Sequence, residues 1–277
     1  MTKDYSNMAI LVNTSDGFAD CWMPFFSLFK KYSSSLATVP IYLNTERLSY
    51  KENGLNLKAT AVWPSSEHER PTWSSCLIRA LDYISEEYVL YVQEDYFLKQ
   101  SIREEYIERA LYFLKNNEMF HAVYLNKYGP IFKDGNLLCS NIVEVPKSSN
   151  YLVSTQVAIW RRDALRSHCR DWENGWMFEK FATWRAKSSL AKFASIEKHI
   201  IEQEPVFDYL YTGVMKGKWH SGCQALFEKN DITVNFTTRG FYKNAGTIKT
   251  KYEVVKKLLQ RPSLAWKSIK SIYRDTY

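Results

Sequence analysis

The stretch TWSSCLIRALDYISEEYVLYVQEDYF, Thr72 to Phe97, decides how the chain folds. Apolar residues at 73, 77, 80, 81 and 84 fall on one stripe at helical spacing, which predicts a helix over Trp73 to Ser85. Tyr88 to Val92 is a continuous β-branched and aromatic run, the composition of a strand buried on both faces of a parallel sheet. That strand ends in Gln93-Glu94-Asp95 before apolar sequence resumes at Tyr96, Phe97 and Leu98. Two adjacent carboxylates therefore close a buried strand, and their environment has to compensate them.

The same alternation extends outward. Met8 to Asn13 reads as a buried strand, and Phe18 to Tyr32 as mostly helical with Pro24 early, where proline is tolerated. Val39 to Leu43 and Leu57 to Val62 read as short strands, Ile102 to Asn116 as a helix and His121 to Leu125 as a strand. Strands alternating with helices over the first 125 residues predict an open α/β sheet with parallel strands. Ligands of such sheets bind outside the carboxyl ends of the strands, where Glu94 and Asp95 fall. Two readings stand for the pair. It begins a polar turn, with Asp95 as a cap, or it is a site. The flanking aromatics imply partial burial, which calls for a cation or donors. A hard divalent ion shared with a diphosphate meets that need, because Mg²⁺ or Mn²⁺ takes one or two protein carboxylates and completes its shell with phosphate oxygens and water.

At 277 residues, with 45% hydrophobic and 16% aromatic content, the chain fits one large domain or two small ones with a sizeable core. The opening MTKDYSNMAILVN has too short an apolar run for a signal peptide, and no window approaches the roughly 18 apolar residues of a membrane span, so a cytoplasmic chain is expected. Cys21, Cys76, Cys139, Cys169 and Cys223 include no closely spaced pair and read as small buried hydrophobes. The net charge of +7 is concentrated: eight lysines and arginines against Glu253 and Asp275 from residue 249 onward carry six of the seven. KYEVVKKLLQRPSLAWKSIKSIY has the spacing of a basic amphipathic helix broken near Pro262. Such a segment favours an anionic membrane surface at the inner face of the cell membrane, or it is a terminal helix packed on the domain with a solvated face. Lysine and arginine are not clustered elsewhere, and no nucleic-acid partner is expected.

Five stretches, in order, carry a resemblance: ILVNTSDGFADCWMPFFSLFKKY, the opening stretch through Phe97, STQVAIWRRDAL, ENGWMFEKFATWRAKS and GVMKGKWH, together spanning residues 10 to 220. The chain resembles the bacterial GT-A glycosyltransferases of polysaccharide and lipopolysaccharide biosynthesis, in which a strand ends in an Asp-x-Asp or x-Glu-Asp motif that positions a metal-bound nucleotide sugar. The resemblance implies a GT-A-like open, mostly parallel Rossmann-type sheet flanked by helices, with a C-terminal helical tail. It implies one domain over 1–248, with a donor half over about 1–125 and an acceptor half over about 126–248, followed by a basic tail over 249–277. Gln93 stands where the first acid of the pattern falls, and GT-A enzymes work with and without a metal, so Mn²⁺ or Mg²⁺ is implied without being required.

Carried over residue by residue, the resemblance makes Asp95 the group nearest the metal and diphosphate, with Glu94 beside it on the donor sugar or ribose. Thr14, Ser15 and Asp16 become contacts to the nucleotide, although Asp16 reads equally well as a helix N-cap. Arg79 resembles a basic residue near the donor phosphates, or is an ordinary helix arginine. Glu179, among Trp176, Phe178, Phe181 and Trp184, is the general base of an inverting transfer, since an isolated carboxylate in apolar surroundings accepts a proton more readily. The competing reading pairs Glu179 with Lys180 or Arg185. Trp176 and Trp184 are core, or platforms for sugar stacking. Lys216 and Lys218 suit diphosphate oxygens, His220 a metal shell, and Gln156 a sugar. No GxSxG, HExxH, P-loop or GxGxxG motif is present, which weakens hydrolase, protease, kinase and dehydrogenase readings. The expected activity is transfer of a sugar from a nucleotide-sugar donor to a glycan acceptor, lipid-linked in one version. A nucleotidyltransferase and a non-catalytic nucleotide- or sugar-binding protein are the alternatives.

Overall fold

The structure, a computed structural model, describes residues 4–243 and 262–274. Its centre is a sheet of nine strands: β1 (Met8–Asn13), β2 (Ile41–Asn44), β3 (Leu57–Ala59), β4 (Tyr88–Gln93), β5 (Phe120–Tyr124), β6 (Leu137–Cys139), β7 (Ile142–Glu144), β8 (Ala158–Arg161) and β9 (Lys192–Ile196), in the spatial order 3-2-1-4-8-5-9-7-6. Strands β1 to β4 are mutually parallel, β5 and β9 pair in parallel, and β8 runs antiparallel between β4 and β5. This is the expected open, mostly parallel sheet flanked by helices, and it is continuous across both halves of the sequence.

Strand β1 is buried along its whole length, and β4 at every position before Gln93. Met8, Ile10, Val12, Tyr88, Leu90 and Val92 pack into one core, while Ala9, Leu11, Val89 and Tyr91 pack into another, as alternation across a pleated sheet requires. The first core takes α1 (Trp22–Tyr32) through Phe25, Phe26 and Phe29, and α3 (Glu104–Lys115) through Ile107, Leu111 and Leu114. The second takes α2 (Trp73–Tyr83) through Leu77 and Leu81, and α4 (Arg162–His168) through Leu165. Each such Phe or Leu contributes about 1.5–3 kcal/mol by leaving water. Thr72 caps α2 by accepting from the Ser75 amide at 3.1 Å. The stretch expected to be helical from Phe18 opens instead as a 3₁₀ helix over Asp16–Cys21 before α1. Among the cysteines the core reading holds for four, while Cys139 is exposed on edge strand β6.

Residues 175–187 form a helical segment of three parts: α5 (Gly175–Met177), a π turn (Phe178–Ala182) and α6 (Thr183–Lys187). Behind it, Arg185 donates to both oxygens of Glu173 at 2.8 Å, with side-chain exposures of 3% and 0%. Arg185 also donates to Ser271 Oγ at 3.1 Å in the C-terminal helix (Pro262–Arg274). The described part of that helix runs over Pro262–Arg274, and the break expected near Pro262 turns on residues outside the described ones. The helix docks through Ser268 and Ser271, with Trp172 Nε1 donating to Ser268 Oγ at 2.9 Å, and leaves Trp266 59% exposed. Residues 249–261 and 275–277 of the expected tail lie outside the described residues. Among the described residues no helix is long and apolar enough to cross a membrane.

At the amino edge of the sheet, His121 Nδ1 and His168 Nε2 are 3.0 Å apart. Burial holds both imidazoles below their usual range, reinforced at His121 by Arg161 and Lys147, and at His168 by His121, Arg185, Arg170 and Lys147. The unfolded chain therefore binds protons that the folded chain refuses. Stability is expected to fall as pH drops below about 6.5, with each histidine contributing up to about 1.4 kcal/mol per pH unit. Denaturant titrations at pH 8 and at successively lower pH should show a steeper loss for the native chain than for His168→Gln, and equal pH profiles would contradict the account. Glu173→Gln is expected to cost about 3–5 kcal/mol, because it strands the Arg185 charge in the interior. A urea midpoint that does not move would exclude that role.

Candidate functional site

The carboxyl edge of the sheet is polar where the strands end. Asn13 Nδ2 donates to Tyr91 Oη at 3.1 Å, and Asn44 Nδ2 to Asn13 Oδ1 at 2.7 Å, a buried chain across the ends of β2, β1 and β4. Because β8 is antiparallel, its lead-in residues 154–157 arrive at this same edge. Ala158 pairs with both Tyr91 and Tyr124, so Gln156 projects past the strand ends. Its Oε1 accepts from Tyr209 Oη at 2.7 Å and from Asn126 Nδ2 at 3.2 Å. Gln156 therefore lies in the lead-in to β8, two residues before the strand begins at Ala158.

The acidic pair is buried, with Glu94 7% and Asp95 6% exposed. The chain after it is clamped by residues 208–214, through amide bonds from Lys99 to Asp208 O (2.8 Å) and from Gly213 to Asp95 O (2.9 Å). The Asp95 carboxylate accepts from Thr212 Oγ1 and from the Val214 amide at 3.1 Å. Burial raises the pKa of Asp95 against the pull of these donors. Burial, then the adjacent Asp95, hold Glu94 well above the usual carboxylate range. Among the described residues no side chain donates to Glu94, and Arg239 is the cation that opposes its shift. Behind the clamp, Cys223 Sγ donates to Gly213 O at 3.3 Å, its thiol pushed up to about 12 by burial and by Asp95.

A cavity of about 350 Å³ opens in front of this corner, lined by Gln93, Tyr96, Gln156, Glu179 and Thr212 among others. Glu179 Oε1 accepts from the Thr155 amide at 2.8 Å, Thr155 Oγ1 at 2.9 Å and Ser154 Oγ at 3.3 Å. The expected apolar isolation of Glu179 is corrected here: Phe178 and Phe181 turn into the core, and the carboxylate meets hydroxyl and amide donors. Neither expected ion pair forms. Arg185 is taken by Glu173, and Lys180 lies over Trp176 and Trp184.

Several expected contacts are engaged elsewhere. Asp16 is not an N-cap; Ser15 holds that position without a side-chain cap bond, and the Asp16 carboxylate accepts from the amides of Glu46 (2.9 Å), Arg47 (2.8 Å) and Leu48 (3.1 Å). Thr14 Oγ1 accepts from Trp22 Nε1 at 3.0 Å. Arg79 donates to Val62 O at 2.9 Å and Glu67 Oε2 at 2.8 Å. Lys216 and Lys218 belong to a hairpin of β10 (Val214–Met215) and β11 (Lys218–Trp219), not an irregular loop. Its two-residue turn has φ of 51° at Lys216 and 77° at Gly217, as the tight hairpin turn with two left-handed residues demands. His220 Nδ1 accepts from the Gly222 amide at 3.1 Å.

Among the described residues no group of three or more His, Cys, Asp or Glu side chains could hold a metal ion, so His220 does not complete a set with the acidic pair. The donor chemistry of Glu94 and Asp95 suits a divalent ion that takes its remaining ligands from phosphate and water, since a cation relieves the cost of burying two adjacent carboxylates. Sequence reasoning missed Ser154, Thr155, Thr212 and Arg239. Arg239 donates to Asp20 Oδ1 and Oδ2 at 2.5 and 2.6 Å and to Gly17 O at 2.6 Å, and lies over Phe18, so it ties the loop after β1 to the region of the hairpin. Ser154 and Thr155 had a visible signal, a polar lead-in to an apolar strand; Thr212 and Arg239 had none.

No protein-family model matches the sequence, and no curated protein matches it. Among solved structures the chain is similar to S. aureus TarS 1-349 in complex with UDP, at 17% identity and a TM-score of 0.44 over 69% of this chain and 58% of that one. It is also similar to glucosyl-3-phosphoglycerate synthase from Mycobacterium tuberculosis in complex with Mg²⁺ and UDP, at 13% identity and a TM-score of 0.44 over 82% and 80%. The chain thus spans 58% of the TarS chain it matches. Likenesses at this level bear on neither substrate nor mechanism.

Gly213 permits the clamp. A Cβ there would lie 2.1 Å from the Phe97 ring and 2.8 Å from Asp95 O. Gly213→Ala is expected to cost about 1–3 kcal/mol or more through overpacking. An unchanged urea midpoint would show that the 208–214 segment can move away from Asp95 without loss.

Proposed function

We propose that this chain is a glycosyltransferase that moves a sugar from a nucleotide-sugar donor to a glycan acceptor by direct displacement with inversion. The observation that carries the reading is a shared cleft. Glu179 lines the same cavity as Gln93, which precedes the acidic pair, and Thr212, which holds Asp95. A proton acceptor and the residues that flank the buried acidic pair thus line one space at the carboxyl edge of an α/β sheet.

In this reading Glu94 and Asp95 would hold a Mn²⁺ or Mg²⁺ ion, which would supply positive charge against the donor diphosphate. The acceptor hydroxyl loses its proton to Glu179 as its oxygen bonds to the anomeric carbon. The bond from that carbon to the diphosphate oxygen breaks on the opposite face, and its electron pair leaves with the nucleoside diphosphate. Ser154 and Thr155 fix Glu179 through one oxygen, so the carboxylate is oriented before substrate arrives. Thr14, Ser15 and the loop tied by Arg239 adjoin the end of β1, where the nucleoside would lie; Gln156 reaches the cleft from the β8 side. The exposed Trp266 and the basic residues of the tail support an acceptor presented at an anionic membrane surface, in the synthesis of a cell-surface polysaccharide.

Incubation with a panel of nucleotide sugars is expected to give slow donor hydrolysis and protection against thermal unfolding. No effect from any nucleotide sugar or nucleoside diphosphate would sink the transferase reading. Glu179→Gln keeps an acceptor oxygen for Ser154 and Thr155 and is expected to retain donor protection while transfer falls by about 10²–10⁴-fold. Full transfer in that variant would remove Glu179 from the base role. Turnover of a nucleoside triphosphate with release of pyrophosphate would favour a nucleotidyltransferase.

A further inference from the structure

Beside the cleft with Glu179 lies a second cavity of about 350 Å³, which shares Tyr151 and Glu179 with the first and continues over Trp176, Lys180, Trp184 and Lys187. Its aromatic residues are not core. Tyr151 is 45% exposed, Trp184 41%, and Trp176 is half-buried. Exposed rings beside a reacting group offer apolar faces on which the C–H face of a sugar ring stacks, with polar ring edges left to its hydroxyls.

The cavity is lined by two ammonium groups, Lys180 and Lys187, and one carboxylate, Glu179. Lys180 Nζ lies 5.3 Å from the ring centroids of both Trp176 and Trp184. Lys187 Nζ donates to Ser148 O at 3.1 Å. Among the described residues neither ammonium has a carboxylate partner, and Glu179 is held by Ser154 and Thr155. Two ammonium groups that line one cavity without a carboxylate partner attract an anion, which would accept charge-assisted hydrogen bonds from them. The backbone is unusual at the same place. Tyr151, at the junction of the two cavities, has a φ of 55°, a left-handed conformation that is rare for an aromatic residue and strained. Glu179 and Lys180 lie in the π turn, a geometry that recurs at functional sites.

We propose that this groove binds the acceptor and that the acceptor is an anionic glycan. A sugar ring stacks on Trp184 and Tyr151, and a phosphate or carboxylate on that glycan is held by Lys180 and Lys187, which brings a neighbouring hydroxyl to Glu179. The assignment rests on the reading of Glu179 as the base. A neutral glycan would gain the stacking and leave both ammonium groups without an anionic partner.

The test is a tryptophan-fluorescence titration without donor, using chitotetraose as a neutral probe, a hyaluronan tetrasaccharide as a carboxylate probe and pentamannose 6-phosphate as a phosphate probe. At low salt, at least one anionic probe is expected to bind about tenfold or more tighter than chitotetraose. The two anionic probes show which anion is preferred. Lys180→Met and Lys187→Met should each remove most of that preference, whereas Lys180→Arg should retain it, which separates loss of charge from misfolding. Trp184→Ala should weaken every probe that binds. Equal affinity for neutral and anionic probes, a preference untouched by the lysine substitutions, or no binding of any probe would overturn the assignment. Protection by nucleoside diphosphates, measured on the same samples, distinguishes that failure from a failure of the donor reading.

Discussion

Two adjacent carboxylates buried at the end of β4 set the terms for the rest of the carboxyl edge. Neither belongs in a nonpolar interior alone, and desolvation pushes both toward their neutral forms. The chain compensates them unequally. Asp95 receives a hydroxyl and an amide from residues 212–214, whereas among the described residues no side chain donates to Glu94, whose shift the field of Arg239 opposes. A group compensated this way in the folded chain is poised to take up positive charge. Gly213 is part of the same arrangement, because a side chain there would drive the clamp away from Asp95.

The direction of one strand assembles the remainder. Had β8 run parallel to its neighbours, Ser154, Thr155 and Gln156 would have emerged at the opposite edge, away from β4. Running antiparallel, it delivers two hydroxyls and an amide beside the strand ends, and the hydroxyls catch the carboxylate that the π turn presents from residues 178–182. The Arg185–Glu173 pair and the docked C-terminal helix brace that helical segment from behind. Position, orientation and packing of Glu179 therefore come from three separate parts of the chain.

The first half of the fold was legible because its strands are buried on both faces and its helices carry clean stripes; β1 matches the expected Met8 to Asn13, and α2 and β4 fall within a residue or two of expectation. The antiparallel β8 was not legible, since AIW is as apolar in one direction as in the other. Asp16 shows the limit for site residues. A short acid after a strand looks the same in sequence whether it contacts a ligand, caps a helix or, as here, receives three amides from a loop 30 residues away. Glu179 was picked out by its aromatic neighbours, yet its environment is set by Ser154 and Thr155, distant in sequence. Arg239 could not be foreseen because its partners, Gly17 and Asp20, lie at the other end of the chain.

The central claim is that the corner after β4 binds a nucleoside diphosphate with a divalent ion through Asp95, despite Gln93 in place of a further acid. It is tested most directly by calorimetric titration of nucleoside diphosphates with and without Mn²⁺, in the native chain and in Asp95→Asn. The account predicts binding that Mn²⁺ strengthens in the native chain and an Mn²⁺ effect that is lost in the variant. A dissociation constant that is the same with and without Mn²⁺, and the same in both proteins, would contradict it.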